Sequence, residues 1–134
     1  MPGSFLDSNV FIYLASGDSA KADHAERVVA AGGTISVQVL NEVANVARRK
    51  MGLSWAETRG FLAMIRGLLS VVPITVELHD AGLALAERYG VSLYDAMIVA
   101  SAISTGCDTL WSEGMQHGMA IEGGLRIANQ FAAA

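Results

Sequence analysis

Three acidic residues, Asp7, Glu42 and Asp95, each lie beside a short apolar run that is typical of a strand or a buried helix. Carboxylates that are brought together repel one another and lose hydration, which raises their pKa values and destabilises the site. A divalent cation removes that repulsion, and magnesium prefers oxygen ligands and serves phosphoryl chemistry. If the three acids converge, the sequence predicts a metal-dependent phosphodiesterase; their spacing alone does not require convergence.

Each of the three acids also has a purely structural interpretation. Asp7 precedes a predicted helix and would act as its N-cap. Glu42 flanks an apolar stripe, where its stem could cover the core while its carboxylate reaches water. Asp95 stands three residues after Ser92, the spacing of a capping box. That spacing does not explain why the helix after Asp95 is apolar on nearly every side, which is the pattern of a buried helix.

The elements that must position these acids follow from short apolar runs alternating with longer amphipathic ones. We predict strands at Ser4–Leu6, Thr34–Ser36, 71–75, 108–111 and Leu125–Ala128. The predicted helices are 9–15, 19–31, 37–50, 54–69, 77–89 and 92–104. Pro73 places the third strand nearer an edge of the sheet than its centre.

Strands separated by helices need crossover connections, which imply a mainly parallel sheet with helices on both faces. We therefore predict an α/β fold, a three-layer α/β/α sandwich. The chain of 134 residues fits a single domain, 1–134, with a core of about 4–131. In open sheets of this class, reactive groups gather beyond the carboxyl ends of the strands. The three acids lie at such places or on the helices next to them.

Composition excludes several classes of protein. A chain that is 52% hydrophobic and 16% charged, with two prolines, is not a disordered linker. Its apolar stretches are shorter than the ~20 residues of a membrane span, and its start lacks the pattern of a signal peptide. One cysteine, Cys107, cannot form an internal disulfide. We expect a cytoplasmic protein with no membrane partner.

The net charge of −4 argues against a protein that coats nucleic acid. It does not exclude a nuclease, because bound divalent metals can supply positive charge where a phosphate is held. Arg48, Arg49 and Lys50 could contact phosphates, or could simply complement the negative end of a helix dipole. Trp55 and Trp111 are expected to be buried in the core or an interface rather than to stack on bases.

Four segments, in order, resemble the motifs of the PIN domain, and specifically of the VapC-like ribonuclease toxins of bacterial toxin–antitoxin pairs. The segments are 5–13, 36–42, 92–102 and 110–118, and 125–129 resembles the family's closing strand. Each motif alone is a weak signal. Four in order at the family's spacing, over nearly the whole chain, form a specific resemblance.

The resemblance implies an endoribonuclease that hydrolyses RNA phosphodiesters with Mg²⁺ or Mn²⁺. Asp7 and Asp95 would hold the principal metal, and Glu42 would bind it directly or through water. The residues that support these ligands would be Ser8, Asn9 and Ser112. The implied partners are an RNA substrate, a cognate antitoxin that occupies the acidic site, and a second copy of the chain.

One position departs from the family's pattern. Gly114 stands where the family usually has its fourth acid, and the adjacent Glu113 is expected to point elsewhere. Either the protein is naturally attenuated or the residue was changed to permit expression of a toxin; the three intact acids favour the second explanation. Gly114 also supports an alternative, a catalytically silent module that binds an antitoxin or RNA. A phosphoaspartate protein is a weaker alternative, because the sequence shows no clear Asp-x-Asp pattern or companion lysine.

Overall fold

The computed structural model describes residues 3–16, 18–115 and 118–129. The strands in these ranges are β1 (Ser4–Leu6), β2 (Thr34–Ser36), β3 (Ser70–Val72), β4 (Thr109–Trp111), β5 (Ala120–Ile121) and β6 (Leu125–Ala128). The α-helices are α1 (Ser8–Leu14), α2 (Ser19–Ala30), α3 (Val37–Arg49), α4 (Trp55–Leu68), α5 (Val76–Tyr89) and α6 (Leu93–Ser104). The predicted helices are thus confirmed to within about one residue at each end, a margin inside the usual uncertainty of helix boundaries.

The strands form one sheet in the order β3-β2-β1-β4-β6-β5. All neighbouring pairs are parallel except β5 and β6, which are antiparallel. The chain runs outward from β1 through β2 to β3 and then returns to place β4 on the other side of β1. The strand order therefore reverses between β1 and β4, the kind of point at which open α/β sheets bind ligands.

The helices cover the sheet as the outer layers of a three-layer α/β/α arrangement, which confirms the predicted fold class. Helices α1 to α4 pack in one group, whereas α5 and α6 pack against each other and α6 covers β2 and β4. Phe5, Leu6 and Leu110 on the central strands are fully buried. Central strands of a parallel sheet are apolar on both sides because helices cover both faces.

Helix α6 lies deepest in the protein. Residues 96–102 are all buried, as expected for a helix that is apolar on nearly every side. Its close approach to α5 depends on Gly82, where an added Cβ would collide with the sulfur of Met97. Position 82 therefore has no room for a side chain unless Met97 moves.

Two strands differ from the prediction. β3 is an edge strand as expected, but it ends at Val72 rather than continuing to residue 75, because Pro73 has no N–H to donate to a neighbour. β5 was not predicted, because two residues are too few to show an alternating pattern. The prediction of a single domain stays a prediction, and the expected frayed tail at 131–134 lies outside the described residues. No helix in the described ranges has the length and apolar character needed to cross a membrane.

Candidate active site

The connections of the sheet explain why three acids that are distant in sequence come to one edge. Asp7 directly follows β1. Helix α3 starts at the carboxyl end of β2, so its early turns, which carry Glu42, lie at the same edge. Helix α6 leads into the amino end of β4, so its first turn, which carries Asp95, lies at the opposite end of that strand, again the carboxyl edge.

Asp7 accepts hydrogen bonds from residues that follow β1 and β4. The register pairs Leu6 with Trp111, so the next residues, Asp7 and Ser112, are adjacent at the strand ends. The Ser112 hydroxyl donates to Asp7 Oδ2 at 2.8 Å. The Ser8 amide donates to Asp7 Oδ1 at 2.7 Å, and the Ser8 hydroxyl donates to the same oxygen at 3.4 Å. Asp7 is also the N-cap of α1, so its structural interpretation is correct as well.

The surroundings of Asp7 disfavour its negative charge. Its side chain is buried, and this burial is the main cause that raises its pKa. The hydrogen bonds from Ser112 and Ser8 act in the opposite direction and lower the pKa, whereas the charge of Asp95 raises it further. The influence of Asp95 indicates that these two acids lie near each other.

Glu42 carries the least satisfied polar atom of the site. Its Oε1 is buried and has no hydrogen-bond partner among the described residues. Burial is the largest cause that raises the pKa of Glu42, followed by the charge of Asp7, with a smaller contribution from Asp95. The side chains of Ser8 and Gln38 lower it. A glutamate whose stem only covered the core would place its carboxylate in water. Oε1 of Glu42 is instead buried.

Asp95 lies in the first turn of α6, where Ser92 is the N-cap. The Asp95 amide donates to Ser92 Oγ at 3.1 Å. The reciprocal bond of a capping box, from the Ser92 amide to the Asp95 carboxylate, is absent from α6 in the described structure. The capping-box interpretation is therefore correct for the serine, while the carboxylate of Asp95 takes no part in the cap.

Gln38 is a contributor that the sequence analysis did not identify. Its Nε2 donates to the Tyr94 carbonyl at 3.0 Å, which links α3 to the residue before Asp95. It stands four residues before Glu42 on the same face of α3, and this spacing is the signal that could have drawn attention to it. Among the residues expected to support the ligands, Ser8 and Ser112 contact Asp7, and Asn9 lies half-buried in the first turn of α1.

The donor atoms of this site are carboxylate oxygens, which are ligands that a divalent cation such as Mg²⁺ prefers. An orphaned buried oxygen on Glu42, an oriented carboxylate on Asp7, and mutual repulsion with Asp95 are what such an ion would relieve. Within the described ranges, no group of three His, Cys, Asp or Glu side chains is placed to hold a metal ion together. Magnesium typically binds one or two carboxylates and keeps several waters, so the residues present fit a hydrated ion.

The segment after Ser112 connects the site to α1 and α2. The Tyr13 hydroxyl donates to Glu113 Oε1 at 3.3 Å, and Lys21 Nζ donates to the Tyr13 hydroxyl, also at 3.3 Å. The hydrogen bond with Tyr13 is the main cause that raises the pKa of Lys21. No sequence pattern points to Tyr13 or Lys21, because they come close to Glu113 only in the folded chain.

Gly114 has no conformational or packing reason to be glycine. Its φ is outside the left-handed range, and a Cβ built on it would meet no described atom within 4 Å. The residue is exposed. The backbone would therefore accept an aspartate at position 114 without rearrangement.

Solved structures with the same fold come from toxin–antitoxin systems. VapC20 of Mycobacterium tuberculosis, described as a toxin that cleaves the sarcin–ricin loop, matches with a TM-score of 0.68 at 21% identity, over 81% of this chain and 88% of that one. A toxin–antitoxin complex from Klebsiella pneumoniae matches with a TM-score of 0.72 at 22% identity, over 96% and 98%. VapBC2 of Rickettsia felis, bound to a promoter DNA fragment, matches with a TM-score of 0.67 at 19% identity, over 94% and 97%.

The sequence itself matches one family. No curated protein gives a significant match. The family model described as the PIN domain matches residues 4–117, which is most of the chain and includes all three acids. This match confirms the resemblance found in the sequence motifs, and the structural neighbours share the fold. The chain therefore belongs to the PIN domain family.

Proposed function

We propose that this chain is the toxin component of a toxin–antitoxin pair and acts as a metal-dependent endoribonuclease on RNA phosphodiesters. The observation that carries the proposal is the buried, unpartnered Oε1 of Glu42, in a site where the charges of Asp7 and Asp95 also act on it. Such an arrangement is unfavourable unless a cation offsets the charge. Membership of the PIN family and structural likeness to VapC toxins support the same function.

Asp7 and Asp95 would hold Mg²⁺, with Mn²⁺ as a substitute, and Glu42 would bind directly or through water. When bound, the ion lowers the pKa of a coordinated water and neutralises charge developing on the phosphate. The chain's own residues orient the ligands: Ser8 donates to one oxygen of Asp7 and Ser112 donates to the other. Such outer hydrogen bonds fix the direction in which a carboxylate presents its free lone pairs.

We propose further that Gly114 weakens this activity. The position lies two residues after Ser112, whose hydroxyl donates to Asp7, and it has room for a side chain. A carboxylate there would add a ligand for the metal or for its waters. Its loss is expected to affect metal occupancy more than folding, because no described atom packs against Gly114.

The proposed partners are a cognate antitoxin, the RNA substrate and a second copy of the chain, all in the cytoplasm. The antitoxin is supported by structural neighbours that are toxin–antitoxin complexes, among them DNA-bound VapBC assemblies from Rickettsia felis and Salmonella typhimurium. A small protein that covers the acidic edge would block access of RNA phosphates to Asp7 and Asp95.

The test is cleavage of a panel of structured RNAs with Mg²⁺ or Mn²⁺ by three proteins: the unchanged chain, Gly114→Asp, and Gly114→Asp with Asp95→Asn. We expect weak or no cleavage by the first, a marked gain in the second and loss in the third. Circular dichroism of each protein serves as the folding control. Equal cleavage by the second and third proteins would contradict the assignment of Asp95.

A second candidate function is a catalytically silent module that binds an antitoxin or RNA, and Gly114 is the observation that favours it. Calorimetric titration with Mg²⁺ separates the two functions. A silent module would not bind Mg²⁺, and its Gly114→Asp variant would not gain RNA cleavage activity. A disabled nuclease would bind Mg²⁺ more tightly once the aspartate is present, and would then cleave RNA.

A further inference from the structure

A strip of polar side chains runs along α3, from the acidic site toward the end of the helix. Glu42, Asn45 and Arg49 are spaced by three and four residues and therefore share one helix face. The neighbouring face, with Val39 and Val43, is buried. Asn45 and Arg49 are exposed, and Arg49 lies about 10 Å from Glu42 along the helix axis.

This strip ends at a fixed pair of an arginine and a tryptophan. The guanidinium carbon of Arg48 lies 4.2 Å from the centre of the Trp55 ring. One of its nitrogens, Nη1, also donates to the Leu53 carbonyl at 2.6 Å. Arg48 is thus held by two contacts, and it covers part of the Trp55 ring.

Trp55 is 59% exposed although an aromatic ring of this size usually contributes its area to a core or an interface. Burial in an interface therefore stays a prediction for Trp55, whereas the expectation of burial in the core is wrong. The reason is its place at the first position of α4, directly after the N-cap Ser54, where the helix begins at the protein surface. An exposed ring that is held in place by an arginine is a surface on which another flat group can stack.

The segments that precede and follow this ring in the sequence are rich in cations. Arg48, Arg49 and Lys50 end α3, and Arg59 stands one turn after Trp55 on α4. These four are close to half of the nine Lys and Arg residues in a chain whose net charge is −4. A helix dipole would account for cations at the end of α3. It does not account for an exposed tryptophan between them and Arg59.

The ring and the cations border a shallow depression of about 480 Å³. Its lining consists of Ala44, Asn45, Arg48, Arg49 and Trp55. We name these lining residues, together with Lys50 and Arg59, the Trp55 surface. The nearby acid Glu57 accepts a hydrogen bond from the Ser54 amide, which uses part of its capacity within the α4 cap.

We propose that the Trp55 surface binds single-stranded RNA beside the phosphodiester that is cleaved, an inference that rests on the proposed function. A base would stack on the open part of the Trp55 ring, and neighbouring phosphates would contact Arg49 and Lys50. Arg49 lies about 10 Å from Glu42 along the axis of α3, so a strand held at the Trp55 surface could extend along this helix to the acidic site. Single strands are favoured because a duplex hides the faces of its bases.

The test measures RNA binding apart from cleavage. A fluorescein-labelled 12-nucleotide single-stranded RNA is titrated with the full chain in EDTA and followed by fluorescence anisotropy. We expect Trp55→Ala to weaken binding about tenfold, within the range found for removing one stacked base, and Trp55→Phe to retain most of the affinity. Arg49→Gln should make the salt dependence shallower by about 0.7 in the log–log slope, the loss of one phosphate contact.

The matched control is Arg66→Gln, which removes the same charge from the last turn of α4, about 16 Å from Trp55 along the helix. Its affinity for RNA should stay unchanged. A weaker affinity for the duplex of the same sequence would support stacking, and equal affinity for duplex and single strand would overturn it. Circular dichroism is the check that each variant folds.

Three other outcomes would overturn the inference. If folded Trp55→Ala binds RNA as the unchanged chain does while Gly114→Asp still cleaves RNA, this inference fails and the proposed function stands. If no variant binds or cleaves RNA, both fail. If Trp55→Ala changes the mass of the protein in size-exclusion chromatography but not its RNA affinity, the Trp55 surface is a contact between protein chains.

Discussion

Helices α4 and α6 begin with the same local pattern, a serine followed by an acid three residues later. In both, the serine hydroxyl accepts a hydrogen bond from the amide of the acid, at 3.0 Å for Ser54 and Glu57 and at 3.1 Å for Ser92 and Asp95. In α4 the acid also accepts from the amide of the serine, at 2.9 Å, which completes the capping box. In α6 the second bond is absent from the described structure.

The difference has a local and a tertiary cause. The side chain of aspartate is one methylene shorter than that of glutamate, the residue that typically closes a capping box. Asp95 also lies at the edge of the sheet, where its charge acts on Asp7 and Glu42, whereas Glu57 is on the surface. One sequence pattern can therefore complete a capping box at one helix start and leave the carboxylate out of the cap at another.

The largest difference that we expect between Asp95 and Glu57 is their effect on RNA cleavage. In the Gly114→Asp protein, Asp95→Asn should lower RNA cleavage about a hundredfold or more, because a metal site contributes several kcal/mol to stabilising the transition state. Glu57→Gln removes the same charge from the start of α4 and should change the rate by no more than about twofold. Initial cleavage rates at saturating Mg²⁺ measure both. Similar losses in the two variants would mean that Asp95 has no special role.

A smaller effect concerns stabilisation by metal. At ten times its dissociation constant, Mg²⁺ should stabilise the folded chain by about 1.4 kcal/mol, since it binds only the folded site. Thermal unfolding with and without Mg²⁺ should show this gain in Glu57→Gln and not in Asp7→Asn or Asp95→Asn. A gain of equal size in all four proteins would place the ion outside the acidic edge.

The pH dependence of stability should have one sign for the buried acids Asp7 and Glu42 and the opposite sign for the surface acid Glu57. The pKa values of Asp7 and Glu42 are raised above their ordinary 3.8 and 4.5, mainly by burial, so the metal-free folded state binds more protons than the unfolded state. Their contribution to stability therefore falls as pH rises from these ordinary values through the raised ones, and then stays low.

Glu57 should behave in the reverse way. The hydrogen bond from the Ser54 amide is the main cause that lowers the pKa of Glu57, so its contribution is present above the ordinary value of 4.5 and is lost as pH falls through the lowered one. Urea unfolding in EDTA as a function of pH should show a flatter high-pH decline in Asp7→Asn. Glu57→Gln should alter only the acidic limb. An unchanged decline in Asp7→Asn would contradict the burial effect.

The smallest expected effect comes from the two N-cap serines. Ser54→Ala and Ser92→Ala should each lower the free energy of unfolding by about 1 kcal/mol, because each removes one cap hydrogen bond. Only Ser92→Ala should also weaken Mg²⁺ binding, since it loosens the turn that carries Asp95. Chemical unfolding and calorimetry measure the two quantities. Weaker Mg²⁺ binding in Ser54→Ala would remove the distinction between the two helix starts.

The local features of the sequence predicted most of the fold. Apolar periodicity, the caps at Ser54 and Ser92, and the edge position implied by Pro73 depend on residues within a few positions of one another, so they could be predicted without the tertiary structure. The alternation of strands and helices then required crossovers, and these brought the carboxyl ends of the central strands to one edge. The catalytic roles of Asp7, Glu42 and Asp95 stay predictions.

Only the tertiary structure decided which acids influence one another and which buried polar atoms have no hydrogen-bond partner. Glu42 Oε1 is buried on α3, which packs against α1 and is bonded through Gln38 to Tyr94 of α6, and no local pattern around residue 42 indicates this burial. The bond from Tyr13 to Glu113 spans 100 positions in the sequence. Trp55 is 59% exposed although Arg48 packs on its ring, because α4 begins at the protein surface. Hydrogen-bond satisfaction and exposure depend on every element that surrounds a group, whereas helix and strand formation depends mainly on near neighbours along the chain.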